Sequence, residues 1–170
     1  MIRVLHEAGK EFDVVPYGLE ALSVMRIEKG HAVASELTGQ TTAQNLGMGR
    51  MVSKIKDCIG NTLSEREYMN RDEIWNLVGL HPVDKSLKLD SGSHFIEHGS
   101  EPTMDNDLGW MTSVAYSPTL GHYIGLGFVK AGNSRKGDVV RAWDGIRQKD
   151  VEVEIVSAHF LDPEGERLRG

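Results

Sequence analysis

The chain has 170 residues, enough for one domain with a real core or one small domain plus a further piece. Its 39% hydrophobic and 26% charged content is an ordinary globular balance, and the net charge of −6 with no basic stripe argues against a nucleic-acid partner. No apolar run approaches the roughly 20 residues of a membrane helix, the start lacks the apolar stretch of a signal peptide, and the single Cys58 cannot form an internal disulfide. A soluble, cytoplasmic chain is the expectation.

In chain order, residues 3–9 read as the end of a helix, with Gly9 as its left-handed stop. Phe12 to Val15 is a short apolar run ending at Pro16. Gly18 opens the strongest helical pattern, with Leu19, Leu22, Met25 and Ile27 near helical spacing and Gly30 ending it. His31 to Ala34 reads as a strand. The stretch 38–42 reads as a loop, with Thr41 or Thr42 capping a short turn through Leu46. Met48 to Ile55 reads as a strand or an extended connector. Ser64 with Glu67 fits a capping box for a short helix over 64–69.

Beyond this point the pattern changes. Runs at 77–83, 94–97, 108–115, 122–129, 138–142 and 151–159 are short, rich in β-branched and aromatic residues, and punctuated by Gly, Pro, Asn and Asp. Val151, Val153 and Ile155 alternate with Glu152 and Glu154. The fold class expected is α+β: an incomplete amino-terminal α/β piece, then a small antiparallel β-barrel or sandwich. The first 55 or so residues carry too little apolar material to close a core of their own, so their apolar positions are expected on the surface. Residues 162–165 read as a turn.

The candidate chemistry is sparse. His94 and His98 have the spacing of two ligands on a helix, but Gly92 and Gly99 place them on a strand and turn, so no metal site is expected. Gly47-Met48-Gly49 and Gly125-Leu126-Gly127 lack the third glycine of a dinucleotide loop and read as places of close backbone approach. Cys58 has no histidine partner and reads as a packing residue. Arg50, Lys54 and Lys56 would share one face of an extended segment, either to meet an anion or as a solvated strand face. Glu28, near the end of the best helix, reads as solvent-facing or paired with its neighbours.

Several motifs together resemble a known family. Pro16-Tyr17-Gly18-Leu19-Glu20-Ala21-Leu22 followed by Met25-Arg26-Ile27-Glu28-Lys29-Gly30 resembles a signature of the aminomethyltransferase-like folate domains, as in the glycine-cleavage T-protein. Thr41-Thr42, Gly47-Met48-Gly49 and Lys54-Ile55-Lys56-Asp57-Cys58-Ile59-Gly60 follow at similar spacing. Within that superfamily, residues 112–121 (Thr-Ser-Val-Ala-Tyr-Ser-Pro-Thr-Leu-Gly) and 160–165 (Phe-Leu-Asp-Pro-Glu-Gly) are similar to heterotetrameric sarcosine oxidase alpha subunits.

The resemblance implies residues 1–60 as the later part of a folate-binding domain, 61–75 as a connector and 76–170 as the family's β-barrel. It implies an oxidoreductase complex in which tetrahydrofolate accepts the one-carbon unit of oxidised sarcosine to give 5,10-methylenetetrahydrofolate. Flavin and NAD would lie elsewhere in that complex, not in this chain, and the partners would be the other oxidase subunits. It implies folate contacts at Glu28, with a carboxylate-to-pterin pair, and at Lys54 or Lys56. The family's catalytic aspartate would lie upstream of residue 1, leaving no catalytic residue here, an inactive isolated chain and a possible homo-oligomer. Arg50 stands where the family often has tryptophan, and Cys58 where phenylalanine is common. The alternatives are a piece of a glycine-cleavage aminomethyltransferase or of a dimethylglycine dehydrogenase, or a non-catalytic interaction module.

Overall fold

A computed structural model describes residues 1–71 and 73–169. Helices α1 (Ile2–Gly9) and α2 (Leu19–Lys29) lead, and the short α3 (Asn61–Ser64) follows a long irregular segment. Six strands come next: β1 (Trp75–Pro82), β2 (His94–Ile96), β3 (Gly109–Ser117), β4 (His122–Lys130), β5 (Val139–Asp144) and β6 (Lys149–Val156), before the final turn of helix α4 (Glu166–Arg169).

The strands close into an antiparallel barrel in the order β1-β4-β3-β2-β5-β6, with β6 returning to β1. Closure leaves no edge strand to protect. The interior is filled by Val78, Leu80, Phe95, Met111, Val129, Val140, Ala142, Val153 and Ile155. Strand β4 is buried on both faces. Its Ile124, Leu126 and Phe128 point outward to pack with Leu77 and with Ile27 of α2. Inward, Gly127 lies where a Cβ would press on the Trp110 carbonyl, Leu80 and Phe95, and Gly125 faces Met111. The Gly-x-Gly pair in β4 is therefore a packing device, because side chains there would push β3 and β1 away.

The amino-terminal part departs from expectation in several places. Gly9 is not left-handed; the chain continues through a 3-10 turn at Lys10–Phe12, and Asp13 (φ 51°) makes the stop. Residues 31–34 form no strand, because the Val33 N–H is taken by the Glu36 carboxylate (2.9 Å) and the Val33 carbonyl by the Glu36 and Leu37 N–H groups. The 48–55 segment is a 3-10 turn at Gly49–Met51 followed by bends, so the even-numbered basic residues do not line a strand face. Ser64 closes α3, its hydroxyl donating to Asn61 O, rather than capping a helix over 64–69; a 3-10 turn at Glu67–Asn70 follows separately. The turn around 42–46 does form. Thr42 and Asn45 bond each other through backbone and side chain, and the Asn45 amide donates to Trp75 O, tying this loop to β1.

Candidate functional site at the junction of α2 and β3

Helix α2 starts at Gly18 and ends at Gly30 (φ 76°), whose N–H and that of His31 bond back to the last turn. This left-handed ending is one that glycine adopts without strain. Gly30 is also required sterically, since a Cβ would collide with the Ala158 carbonyl and the His159 ring. The helix turns Ile27 and Glu28 inward and leaves Leu19, Leu22 and Met25 exposed. Glu28 is only 7% exposed, which overturns its reading as a solvent-facing helix-end charge.

The Glu28 carboxylate accepts the Ser117 hydroxyl at 2.5 Å through Oε1. Ser117 is itself aimed: its Oγ accepts the Leu120 N–H at 3.0 Å, which leaves the hydroxyl proton for Glu28. Among the described residues, Oε2 of Glu28 receives no hydrogen bond, so half of the carboxylate remains available. The Glu28 carbonyl accepts the N–H groups of Phe160 and Leu161, each at 3.0 Å. Next along, the Lys29 ammonium pairs with Asp162 (3.0 Å) and His159 Nδ1 donates to the Lys29 carbonyl (2.8 Å). The Lys29 bond holds the Asp162 carboxyl below its ordinary value.

One turn back on α2, Arg26 reaches a second buried carboxylate, Glu36, which is fully enclosed. Arg26 donates to Glu36 Oε2 (3.2 Å) and to the Ser113 hydroxyl (2.6 Å). Oε1 of Glu36 accepts hydroxyls from Ser35 (3.0 Å), Thr112 (2.5 Å) and Ser113 (2.6 Å). Adjacent residues of a regular strand face opposite ways. Thr112 and Ser113 both reach Glu36 because the β3–β4 register slips between Met111 and Ser113, a bulge that re-aims side chains. Burial pushes the Glu36 carboxyl up, but the Ser113, Thr112 and Val33 hydrogen bonds and the Arg26 charge outweigh it, and the net shift is downward. The group is held ionised as an anchor rather than as an acid.

Nothing local in the sequence marks Glu36, and Arg26 stands out only within the family-like motif at 25–30. The available signal was the run of hydroxyls Thr112, Ser113 and Ser117 on a strand that is otherwise apolar or aromatic. Lys54 and Lys56 are exposed, and among the described residues no hydrogen bond or ion pair joins either to Glu28. His94 pairs with Asp107 (3.1 Å) and His98 with Glu152 (3.2 Å), so the two histidines serve different neighbours. Among the described residues no group of three or more His, Cys, Asp or Glu is arranged for a metal. Cys58 is exposed rather than packed.

Three separate segments therefore converge on residues 26–30: 112–121 through the hydroxyls, 158–162 through the backbone and Asp162, and 33–36 through Glu36. The glycine cleavage T-protein C-terminal barrel domain matches residues 76–162, and the GCVT N-terminal domain matches residues 1–56. The chain belongs to the glycine cleavage T-protein family. It is 41% identical over 165 residues to the sarcosine oxidase subunit alpha of Rhizobium meliloti, covering 96% of this chain and 17% of that protein. The alpha subunit from Corynebacterium sp. strain P-1 is 37% identical over 98% of the chain, again covering 17% of the relative. An aminomethyltransferase of Halalkalibacterium halodurans is 32% identical over 92% of the chain and 40% of that protein. The chain thus spans about a sixth of the oxidase subunits it matches. The fold is shared with the glycine cleavage system aminomethyltransferase T of Bartonella henselae, at TM-score 0.76 and 21% identity, covering 94% of this chain and 43% of that one. Among the described residues no helix is long and apolar enough to cross a membrane.

Proposed function

We propose that this chain forms one wall of a tetrahydrofolate site in a sarcosine oxidase alpha subunit, with Glu28 as the pterin ligand. The single observation that carries the reading is the Glu28 carboxylate: almost buried, fixed by Ser117, and with one oxygen left without a partner among the described residues. A carboxylate held this way can accept paired N–H donors of the kind an aminopyrimidinone ring presents. Arg26, bound to Glu36 and Ser113, holds the helix turn from which Glu28 projects. Tetrahydrofolate, when bound, would supply the nitrogens that take up the one-carbon unit of oxidised sarcosine.

Lys54 and Lys56 are exposed cations on the irregular segment after α2, free to meet the carboxylates of the folate tail. Flavin and NAD belong, on this reading, to other parts of the oxidase, and the other oxidase subunits are the partners. The oxidase assignment over a glycine-cleavage aminomethyltransferase rests on 41% against 32% identity.

The isolated chain should hold tetrahydrofolate weakly and should not turn over. One charge-assisted pair contributes about 1.5–3 kcal/mol, against an association cost of several kcal/mol or more. The test is a binding titration with tetrahydrofolate on the complete alpha subunit. Glu28→Gln should weaken binding by about tenfold to a hundredfold, as loss of such a pair implies. Unchanged affinity in the variant would sink the assignment.

A further inference from the structure

On the side of the barrel formed by β1, β4 and β6, another cluster of titratable groups has a chemistry of its own. His81 of β1 lies with its Nδ1 2.5 Å from the ammonium nitrogen of Lys85, in the loop that follows. An ammonium can only donate, so Nδ1 is the acceptor and the ring proton sits on Nε2. That Nε2 faces the carboxylate of Glu154 on β6 at 3.7 Å. His122 of β4 stands edge-on to the His81 ring at 5.7 Å and spends its own Nδ1 proton on the Tyr123 carbonyl. The loop is built to keep Lys85 there: Asp84 Oδ1 accepts both the N–H and the hydroxyl of Ser86, and Asp84 O accepts the Leu87 N–H.

Burial, then the Lys85 charge, hold His81 below its ordinary value, with Glu154 pulling the other way and His122 adding to the depression. Burial also lowers Lys85 against the pull of Glu154. At neutral pH, then, an unprotonated imidazole stands against an amine that gives up its proton more readily than a free lysine. Lys85 is nevertheless exposed and open to a reagent.

We propose that Lys85 is a site of acylation by acyl thioesters, with His81 as the base that takes its proton. The Lys85 ammonium first gives one proton to His81 Nδ1, and the lone pair so freed attacks the thioester carbonyl carbon and forms the C–N bond. The C–S bond breaks, and the sulfur leaves with the electron pair and takes up the second proton from nitrogen as a thiol, while the first stays on His81 Nδ1. Glu154 faces the imidazolium so formed. The product is a neutral amide, which removes one positive charge from this face of the barrel. Lys88, three residues on and also exposed, has no such base beside it among the described residues and is an internal control.

The experiment is incubation of the folded chain with acetyl-coenzyme A, followed by peptide mass spectrometry at each lysine. Lys85 should be acetylated at least about tenfold faster than Lys88, a conservative share of what a positioned base contributes. His81→Gln should remove most of the Lys85 advantage and leave Lys88 unchanged. Equal rates at the two lysines in the native chain, or an undiminished Lys85 advantage in the variant, would overturn the proposal. Should His81→Gln fail to fold, the pH profile of the native chain decides. The Lys85 to Lys88 ratio should fall as pH drops from about 8 to about 5 and His81 takes up a proton, and a constant ratio counts against the proposal.

Discussion

The hydroxyl of Ser117 donates to the carboxylate of Glu28 across 2.5 Å, joining residues 89 positions apart and fixing the end of α2 to the end of β3. Each end of this bond is prepared by its own segment. Gly30 terminates the helix two residues after Glu28, and the Leu120 N–H orients the serine.

Ser117→Ala should therefore do more than remove a hydroxyl. The buried Glu28 carboxylate and the Leu120 N–H each lose a partner, and a buried group left unsatisfied costs about 1–3 kcal/mol. Urea unfolding of the purified chain should show the loss as a lowered midpoint with an unchanged slope.

The Glu36 anchor predicts an acid-sensitive fold. Its carboxyl lies below its ordinary value of 4.5 in the folded chain. A depressed folded value means that the contribution is fully present above the unfolded value and is lost as pH falls through the folded one. Native stability should drop as pH falls below about 4.5, and Glu36→Gln should flatten that part of the profile. At neutral pH the same variant leaves Arg26 without its buried partner and places an amide among donors, a loss of about 3–5 kcal/mol. Denaturant midpoints measured across the acid range for both proteins check the sign and the size.

How much of this was legible beforehand divides along one line, the range of the interaction. Helix α2 was readable because Gly18 and Gly30 bracket it, and the six strands because short β-branched runs and turns are local signals. The burial of Glu28 was not, because its partner sits on β3 and nothing beside it in sequence announces that. The strand expected at 31–34 failed for a related reason. The Glu36 side chain took the Val33 N–H that a strand would have used, and the anchor of that side chain is again on β3. The bulge at Thr112, which makes the anchor, has no signature in a single sequence. Segments 112–121 and 160–165, which resemble the oxidase family, both close on residues 28–30 in the structure.

Gly30→Ala should loosen the contact of α2 with residues 158–162. The left-handed backbone alone costs an alanine about 1–2 kcal/mol, and the collision with the Ala158 carbonyl adds to it. A fall in thermal midpoint larger than that of Gly18→Ala, where a Cβ meets nothing within 4 Å, is the expected result of calorimetry on the two variants.

The amino-terminal segment exposes Ile2, Val4, Leu5, Phe12, Val15, Tyr17 and Leu19, with Leu19 84% open. Apolar surface of this extent drives association. Sedimentation velocity of the isolated chain should show concentration-dependent self-association that Leu19→Glu with Val15→Glu reduces. A sharply monomeric boundary at high concentration would mean that this surface is tolerated in water.

Glu28 is the centre of the proposed folate site, and one measurement reaches it directly. In the complete oxidase, Glu28→Gln keeps the size of the side chain but turns one acceptor oxygen into a donor facing the ring. Sarcosine oxidation and 5,10-methylenetetrahydrofolate formation are followed in the same preparation with tetrahydrofolate present. The prediction is a folate-dependent yield reduced by at least about tenfold, as loss of a charge-assisted pair implies, with sarcosine oxidation continuing at its native rate. An unchanged folate-dependent yield would contradict the assignment of Glu28 as the folate ligand.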